Sequence, residues 1–158
     1  MNNEQYSALC RHICTALDIP DPDSLSNEGS IFVDEIKIQL MFDDLLSDDC
    51  ILCVVDIGEI PKDIQPQVSE SLLKLNFLTG SKTVGAYAID PLSQHAVFVV
   101  TLIHPDALKA DDLADLFRRY AHRSRHLQST LLKSGELILP LDAPAKDPAE
   151  ADLSIDLA

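Results

Sequence analysis

The 158-residue sequence contains no tryptophan, only five phenylalanines and three tyrosines, and no apolar stretch long enough to cross a membrane. Its longest apolar run, residues 96–103, has eight residues and is interrupted by Thr101, whereas a transmembrane helix needs about 20 apolar residues. With so few aromatic side chains, the chain also has little material for a surface that stacks on nucleic-acid bases. We therefore expect no membrane insertion and no base-binding surface.

Basic residues are scarce as well. Twelve lysines and arginines stand against 26 aspartates and glutamates, which gives a net charge of −14 at pH 7. Such a charge repels phosphate backbones and anionic lipids, so nucleic acid is not an expected partner. Residues 1–6 contain Glu4 and no basic residue, which is unlike the start of a secretory signal. We expect a protein of the cytoplasm.

The chain lacks the sequence signatures of common enzyme sites. Its five glycines are scattered and form no phosphate-binding loop, and it has neither a Gly-x-Ser-x-Gly motif nor a paired-histidine zinc motif. Adjacent acids such as Asp111 and Asp112 are more typical of helix starts and solvated turns than of acid–base pairs. We therefore predict a protein that is not an enzyme and needs no cofactor.

Four cysteines are present, and two of them have the spacing of a redox or zinc pair. These two, Cys50 and Cys53, lie in a predicted strand, where residues three apart point to opposite faces, so their sulfurs are not expected to meet. The other two, Cys10 and Cys14, share a predicted helix face with leucines. We interpret all four as reduced thiols that serve the core.

Four of the five arginines fall within residues 118–125, beside His122 and His126, which lie one helical turn apart. The arginines repel a cation, so we predict no metal site there. Three explanations fit this basic cluster: it compensates the acidic surface, it interacts with the C-terminal end of a helix dipole, or it contacts an acidic segment of a partner. The first two together are favoured over the third.

The pattern of apolar residues predicts helices and strands in an alternating order. Side chains that recur every three or four residues predict three helices, at residues 5–17, 63–78 and 109–133. Alternating or continuous β-rich runs predict five strands, at residues 30–34, 36–42, 50–55, 83–89 and 95–103. Residues 21–29 and 43–49 are predicted loops and residues 90–93 a hairpin turn, and Gly58 and Pro61 are predicted to end the third strand.

The predicted fold is a single α+β domain of residues 1–141. It combines an antiparallel sheet of about five strands with three helices in the order α-β-β-β-α-β-β-α. Residues 142–158 carry prolines, alanines and acids with little periodic hydrophobicity. We predict an acidic, disordered tail there.

Three local strings stand out within this order. They are Ser30-Ile31-Phe32-Val33-Asp34-Glu35-Ile36 with Leu40 and Phe42 after it, then Gly58-Glu59-Ile60-Pro61, and then Leu72-Leu73-Lys74-Leu75-Asn76-Phe77. Residues 86–90, the strand at 96–103 and the long third helix follow. Over roughly residues 4–132, this succession resembles the class I type III secretion chaperones, the Tir-chaperone family.

The resemblance implies a homodimeric chaperone of the bacterial cytoplasm that works without ATP. Such a protein binds the extended N-terminal region of a secreted effector, keeps it soluble and helps to present it for export, with the secretion ATPase as a candidate contact. The implied dimer interface comprises Leu72, Leu75, Phe77, Val84 and Ala86. An alternative is a regulatory protein of the same fold that sequesters a secretion regulator or an anti-activator.

A protein that holds an extended polypeptide needs a free strand edge for main-chain hydrogen bonds and apolar pockets for side chains. The first predicted strand can supply the edge, and its three consecutive apolar residues cannot all face one core. We hypothesise that this strand and the first helix bind the effector through Leu9, Ile13, Leu17, Ile31, Phe32 and Val33. The alternative is that these residues fill the core of the monomer.

Overall fold

The computed structural model describes residues 1–43, 47–80 and 85–137. Within these ranges the chain forms α1 (Asn3–Ala16), α2 (Ser24–Glu28), β1 (Ser30–Val33), β2 (Ile36–Asp43), β3 (Ser47–Glu59), α3 (Gln65–Thr79), β4 (Gly85–Ile89), β5 (His95–Ile103), α4 (Ala110–Ser129) and α5 (Leu131–Ser134). A 3₁₀ turn occupies Pro105–Ala107. The predicted tail at 142–158 lies outside the described residues.

The five strands form one antiparallel sheet in the order β1-β2-β3-β5-β4. β1 and β2 are joined by Asp34 and Glu35, which have φ angles of 47° and 69°, and Val33 pairs with Ile36 across this turn. A two-residue turn with positive φ follows the right-handed twist of its strands and therefore favours a hairpin. The predicted α+β fold and its five-stranded antiparallel sheet are confirmed, with β1 and β4 as the two edges.

The third strand is longer than predicted at both ends. It begins inside the predicted loop 43–49, because the pairing of β2 with β3 continues to Asp43 opposite Ser47. It also continues through Gly58 to Glu59, and the register of its pairing with β5 shifts next to Gly58. Gly58 has a φ of 133°, which glycine adopts readily because it has no Cβ. The prediction that Gly58 ends the strand was wrong, because this glycine forms a bulge that bends the strand without breaking it.

The helices differ from the prediction in number. α1 begins at a capping box, in which the side chains of Asn2 and Gln5 each accept a hydrogen bond from the other residue's amide, at 2.9 and 2.8 Å. α2 lies in the predicted loop 21–29, because a five-residue helix is too short to show helical periodicity. The predicted third helix is interrupted at Thr130, so it is divided into α4 and α5.

One face of the sheet carries the hydrophobic core. Alternate residues of the central strands, such as Ile38 and Val55, are fully buried together with Ile13 of α1 and Phe117 of α4. α1 and α4 pack against each other on this side, and α3 lies beside β4. No helix in the described ranges has the length and apolarity that a bilayer crossing requires. The opposite face and the two edges of the sheet are left to form surface.

Candidate functional site

β1 leaves one side of its backbone without a strand partner. The amide of Leu40 donates to the carbonyl of Gly29 at 2.9 Å, which fixes the alternation of bonded and non-bonded pairs between β1 and β2. Ser30 and Phe32 therefore fall in non-bonded pairs, and their N–H and C=O groups point away from β2. None of the described residues pairs with these groups. This edge can accept a further strand.

At the opposite edge of the sheet, a side chain occupies the outward backbone groups of one residue of β4. The amide of Asp90 donates to the carbonyl of His95 at 2.9 Å, so the same alternation directs the backbone groups of Tyr87 away from β5. Asn76 of α3 binds both groups: its Oδ1 accepts from the Tyr87 amide at 2.7 Å, and its Nδ2 donates to the Tyr87 carbonyl at 2.9 Å. A side-chain amide thus takes the place of a neighbouring strand on β4.

The face of the sheet opposite the core is open. One row of cross-strand partners, none of them buried, runs over all five strands through Ser30, Gln39, Val54, Val99 and Ala86. A hollow of about 620 Å³ lies over β2, β3, β5 and β4. Phe32 stands beside this surface on β1, opposite Lys37, and 64% of it is exposed. The open edge of β1 and an apolar surface therefore adjoin.

The hollow also contains a polar pair. His95 Nδ1 lies 2.9 Å from Oδ1 and 3.0 Å from Oδ2 of Asp56, and both side chains are about one third exposed. Lys37 and Gln39 line the hollow from β2, and Met41 lies at 50% exposure beyond them. A surface that mixes apolar side chains with a few hydrogen-bonding groups suits a polypeptide with alternating side chains.

Strands β3 and β5 are apolar on both of their faces. Residues 51–55 and residues 96–100 contain no polar side chain. A strand with one solvated face normally alternates apolar and polar residues, whereas a continuous apolar run is typical of a strand that is covered on both faces. The described helices pack on the core face and leave the outer face of these strands uncovered. This face is nevertheless as apolar as a surface that is normally buried.

The six residues predicted to bind an effector belong to α1, its C-terminal end and β1, and the structure does not place them on one surface. Four are buried in the core, so their side chains are not accessible to a partner in this conformation: Leu9, Ile13, Ile31 and Val33. Leu17 is partly buried and packs against that core. Phe32 alone points fully outward, because a strand alternates its side chains between two faces. For the four buried residues, the alternative that they fill the monomer core matches their positions.

The residues implied for a dimer interface divide in the same way. Leu72 and Leu75 are buried on the inner side of α3, and Val84 lies outside the described residues. Ala86 is exposed on β4, and Phe77 is 87% exposed. Leu73 precedes Phe77 by one helical turn on the same side of α3, at 70% exposure. These two residues line a hollow of about 770 Å³ that extends to residues 135–137.

The cysteines follow the strand and helix interpretation. Cys53 is buried in β3, Cys50 is only partly buried, and both cysteines of α1 are buried. Burial raises the pKa of the Cys53 thiol to about 12 and that of the Cys10 thiol to about 11. In the described ranges, no group of three histidine, cysteine, aspartate or glutamate side chains is arranged to hold a metal ion.

Sequence reasoning missed Asn76 and the outer valines as parts of the site. Nothing in the local sequence shows that the amide of Asn76 meets the backbone of Tyr87, 11 residues later in the chain. Val54 and Val99 look like core residues, because their neighbours along each strand are also apolar. The available signal was the continuous apolar run in a sheet that was already predicted to be antiparallel.

Comparisons with known proteins place this architecture. No family model and no curated protein matches the sequence. A chain of the ExsC–ExsE complex superposes with a TM-score of 0.61 at 12% identity, over 82% of this chain and 95% of that chain. A chain of the HopA1–SchA chaperone–effector complex superposes with a TM-score of 0.57 at 17% identity, over 81% and 96%. This chain therefore shares the fold of these two chains, and at the level of the fold the resemblance stated from the sequence is confirmed.

Proposed function

We propose that this protein is a bacterial cytoplasmic chaperone, not an enzyme, that binds an extended segment of a secreted effector and keeps it ready for export without ATP. The observation that carries the proposal is the β1 edge, whose outward backbone groups have no partner among the described residues and lie beside Phe32 and an apolar face, whereas Asn76 occupies those of Tyr87 on β4. One structure similar to this chain is a chaperone–effector complex, which supports the proposal.

The mechanism is strand addition. The N–H and C=O groups of Ser30 and Phe32 offer main-chain hydrogen bonds to an added strand, and alternate side chains of that strand lie over Phe32 and the outer face. Each buried leucine-sized side chain contributes about 1.5–3 kcal/mol, and several offset the cost of about 2–5 kcal/mol for ordering the segment. Binding therefore requires no ATP hydrolysis.

The chaperone is further proposed to act as a homodimer. Leu73 and Phe77 form an exposed apolar side of α3, and Ala86 lies exposed on neighbouring β4. Exposed apolar patches of this kind mark interaction surfaces. A second copy that covers Phe77 leaves the β1 edge of each copy at the other end of the sheet, free for an effector. The secretion ATPase is the export component that such a complex would meet.

The substitution Phe32→Asp tests the strand site. The tagged full-length protein is expressed in its source bacterium, co-purified polypeptides are identified by mass spectrometry, and the N-terminal segment of the identified secreted protein is titrated by calorimetry. We expect Phe32→Asp to weaken this binding at least tenfold, because a carboxylate replaces an apolar anchor. Tenfold corresponds to about 1.4 kcal/mol. Thermal stability is expected to stay close to that of the wild type, because Phe32 is exposed.

Leu92→Asp is the matched control, because Leu92 is 94% exposed in the turn between β4 and β5, away from the β1 edge. Its affinity for the segment should equal that of the wild type. Unchanged binding by Phe32→Asp contradicts the strand site, and loss of folded Phe32→Asp protein assigns Phe32 to the core instead. If the co-purified protein is a secretion regulator, the alternative regulatory function replaces that of an effector chaperone. If no polypeptide co-purifies, the chaperone proposal fails.

A further inference from the structure

The proposed function does not use the exposed side of α4. Five basic side chains emerge there from the middle of the helix to its last turn: Arg118, Arg119, His122, Arg125 and His126. At 3.6 residues per turn they fall within about 120° of the helix circumference, opposite the side that buries Phe117 and Leu127. We call these five residues the basic face. It is a concentrated positive surface on a protein with a net charge of −14.

Contacts within the domain account for only part of the arginine cluster. Arg118 donates to Asp115 Oδ1 at 2.9 Å and to the carbonyl of Ala16, at the end of α1, at 2.6 Å. The guanidinium of Arg123, which lies beside the basic face, is 5.4 Å from the ring centre of Tyr87. Arg119 and Arg125 make no ion pair with any carboxylate of the described residues. Compensation of neighbouring acids therefore does not explain these two.

The helix dipole does not explain them either. Its effect on side chains is confined to about the last turn of a helix, and the basic residue in the last turn of α4 is His126. Arg119 lies about three turns before Ser129, where the helix ends. The two explanations that the sequence favoured thus account for Arg118 and His126. They leave Arg119, His122 and Arg125 for an acidic partner segment.

The same chain contains such a segment. Residues 142–158 carry five acids, with Lys146 as their only basic residue: Asp142, Asp147, Glu150, Asp152 and Asp156. The described chain ends at Leu137, eight residues after Ser129. Residues 138–146 can span about 30 Å when extended, and the helix from residue 119 to residue 129 is about 15 Å long. Residues 138–146 are therefore longer, when extended, than the part of α4 that carries the basic face.

We propose that residues 142–158 dock on the basic face of α4. The carboxylates of the segment lie along Arg119, His122 and Arg125. Each exposed pair is weak and screened by salt, but attachment to the same chain gives the segment an effective concentration of the order of millimolar. The net negative charge repels nucleic acid, anionic lipid and the acidic segment alike, but only the segment is held near the basic face by its attachment to the chain.

Amide chemical shifts of the full-length, ¹⁵N-labelled protein test this docking. The variant Asp147→Asn/Glu150→Gln/Asp152→Asn removes three charges from the segment. The control Glu28→Gln/Glu35→Gln/Asp63→Asn removes three charges from exposed positions of the domain. We expect the segment variant to shift the amides of residues 119–126, and the control to leave them in place. Raising the salt from about 0.01 M to about 1 M should produce the same shifts in the wild type, because the screening length falls from about 30 Å to about 3 Å.

The reciprocal variant changes the basic face and is observed through the amides of the acidic segment. Arg119→Gln/Arg125→Gln should shift the amides of residues 147–152, whereas Lys62→Gln/Lys109→Gln, which neutralises two other exposed cations, should not. If the amides of α4 are the same in the wild type and the segment variant, the proposal is wrong. It is equally wrong if the control variants shift the same amides as strongly, because the shifts then report net charge and not docking.

Discussion

At the scale of single residues, burial decides the chemistry of the thiols and phenols of this protein. The spacing of Cys50 and Cys53 resembles a reactive pair, but the strand geometry separates the two side chains, as their position in a strand predicted. Burial raises the pKa values of Cys10 and Cys53, and it also raises the pKa values of Tyr6 and Tyr120. These groups keep their protons in the folded protein under conditions in which an unfolded chain loses them.

This difference predicts a loss of stability at alkaline pH. The folded-state pKa values of Cys10 and Cys53 are raised from the ordinary value of 9.0 to about 11 and about 12. Their contribution is therefore fully present below pH 9 and is lost as the pH rises through these values, because the unfolded chain then binds fewer protons. We expect urea unfolding midpoints to be lower at about pH 10.5 than at about pH 8, with a smaller decrease in Cys53→Ala. Equal midpoints at the two pH values contradict this account.

At the scale of elements, the sequence predicted the number and order of the strands better than the residues at which they begin and end. β5 was predicted with its observed bounds, because a turn precedes it and it contains the longest apolar run of the chain, broken only by Thr101. The bounds of β3 were missed, because pairing with β2 carries acidic residues into the sheet and Gly58 bends the strand. Alternation along β1 predicted that Ile31, Phe32 and Val33 cannot all face one core, and the structure shows that Phe32 is the one outside it. The contact of Asn76 with β4 depends on how α3 lies against the sheet, and no local pattern encodes that arrangement.

Asn76 provides a prediction at this scale. Asn76→Ala leaves the N–H and C=O of Tyr87 without their partner, and we expect a loss of about 1–3 kcal/mol in the free energy of unfolding. Hydrogen exchange of the Tyr87 amide should become faster in the variant. Asn27→Ala, at an exposed position of α2, is the control and should change stability by less than about 0.5 kcal/mol. An unchanged exchange rate at Tyr87 argues against the hydrogen bond from its amide to the side chain of Asn76.

At the scale of the whole molecule, helices cover one face of the sheet, and the other face is apolar although no described helix packs on it. The monomer leaves three surfaces: the β1 edge with the outer face, the apolar side of α3, and the basic face of α4. Their chemistry differs, because the first offers main-chain hydrogen bonds, the second apolar contact and the third positive charge. Each surface therefore selects a different occupant, which we propose to be an effector segment, a second copy of the chain and the acidic residues 142–158.

The apolar side of α3 gives a prediction about mass in solution. If a second copy covers Phe77, the wild type at micromolar concentration has twice the chain mass of 17.4 kDa by light scattering, and Phe77→Asp has the mass of one chain. The change is large because an aromatic residue at the centre of an interface typically contributes about 2 kcal/mol or more, and a buried carboxylate adds a desolvation cost. Phe32→Asp places the same charge on the other strongly exposed phenylalanine and should remain dimeric. A monomeric wild type contradicts the dimer, whereas a dimeric Phe77→Asp moves its interface away from α3.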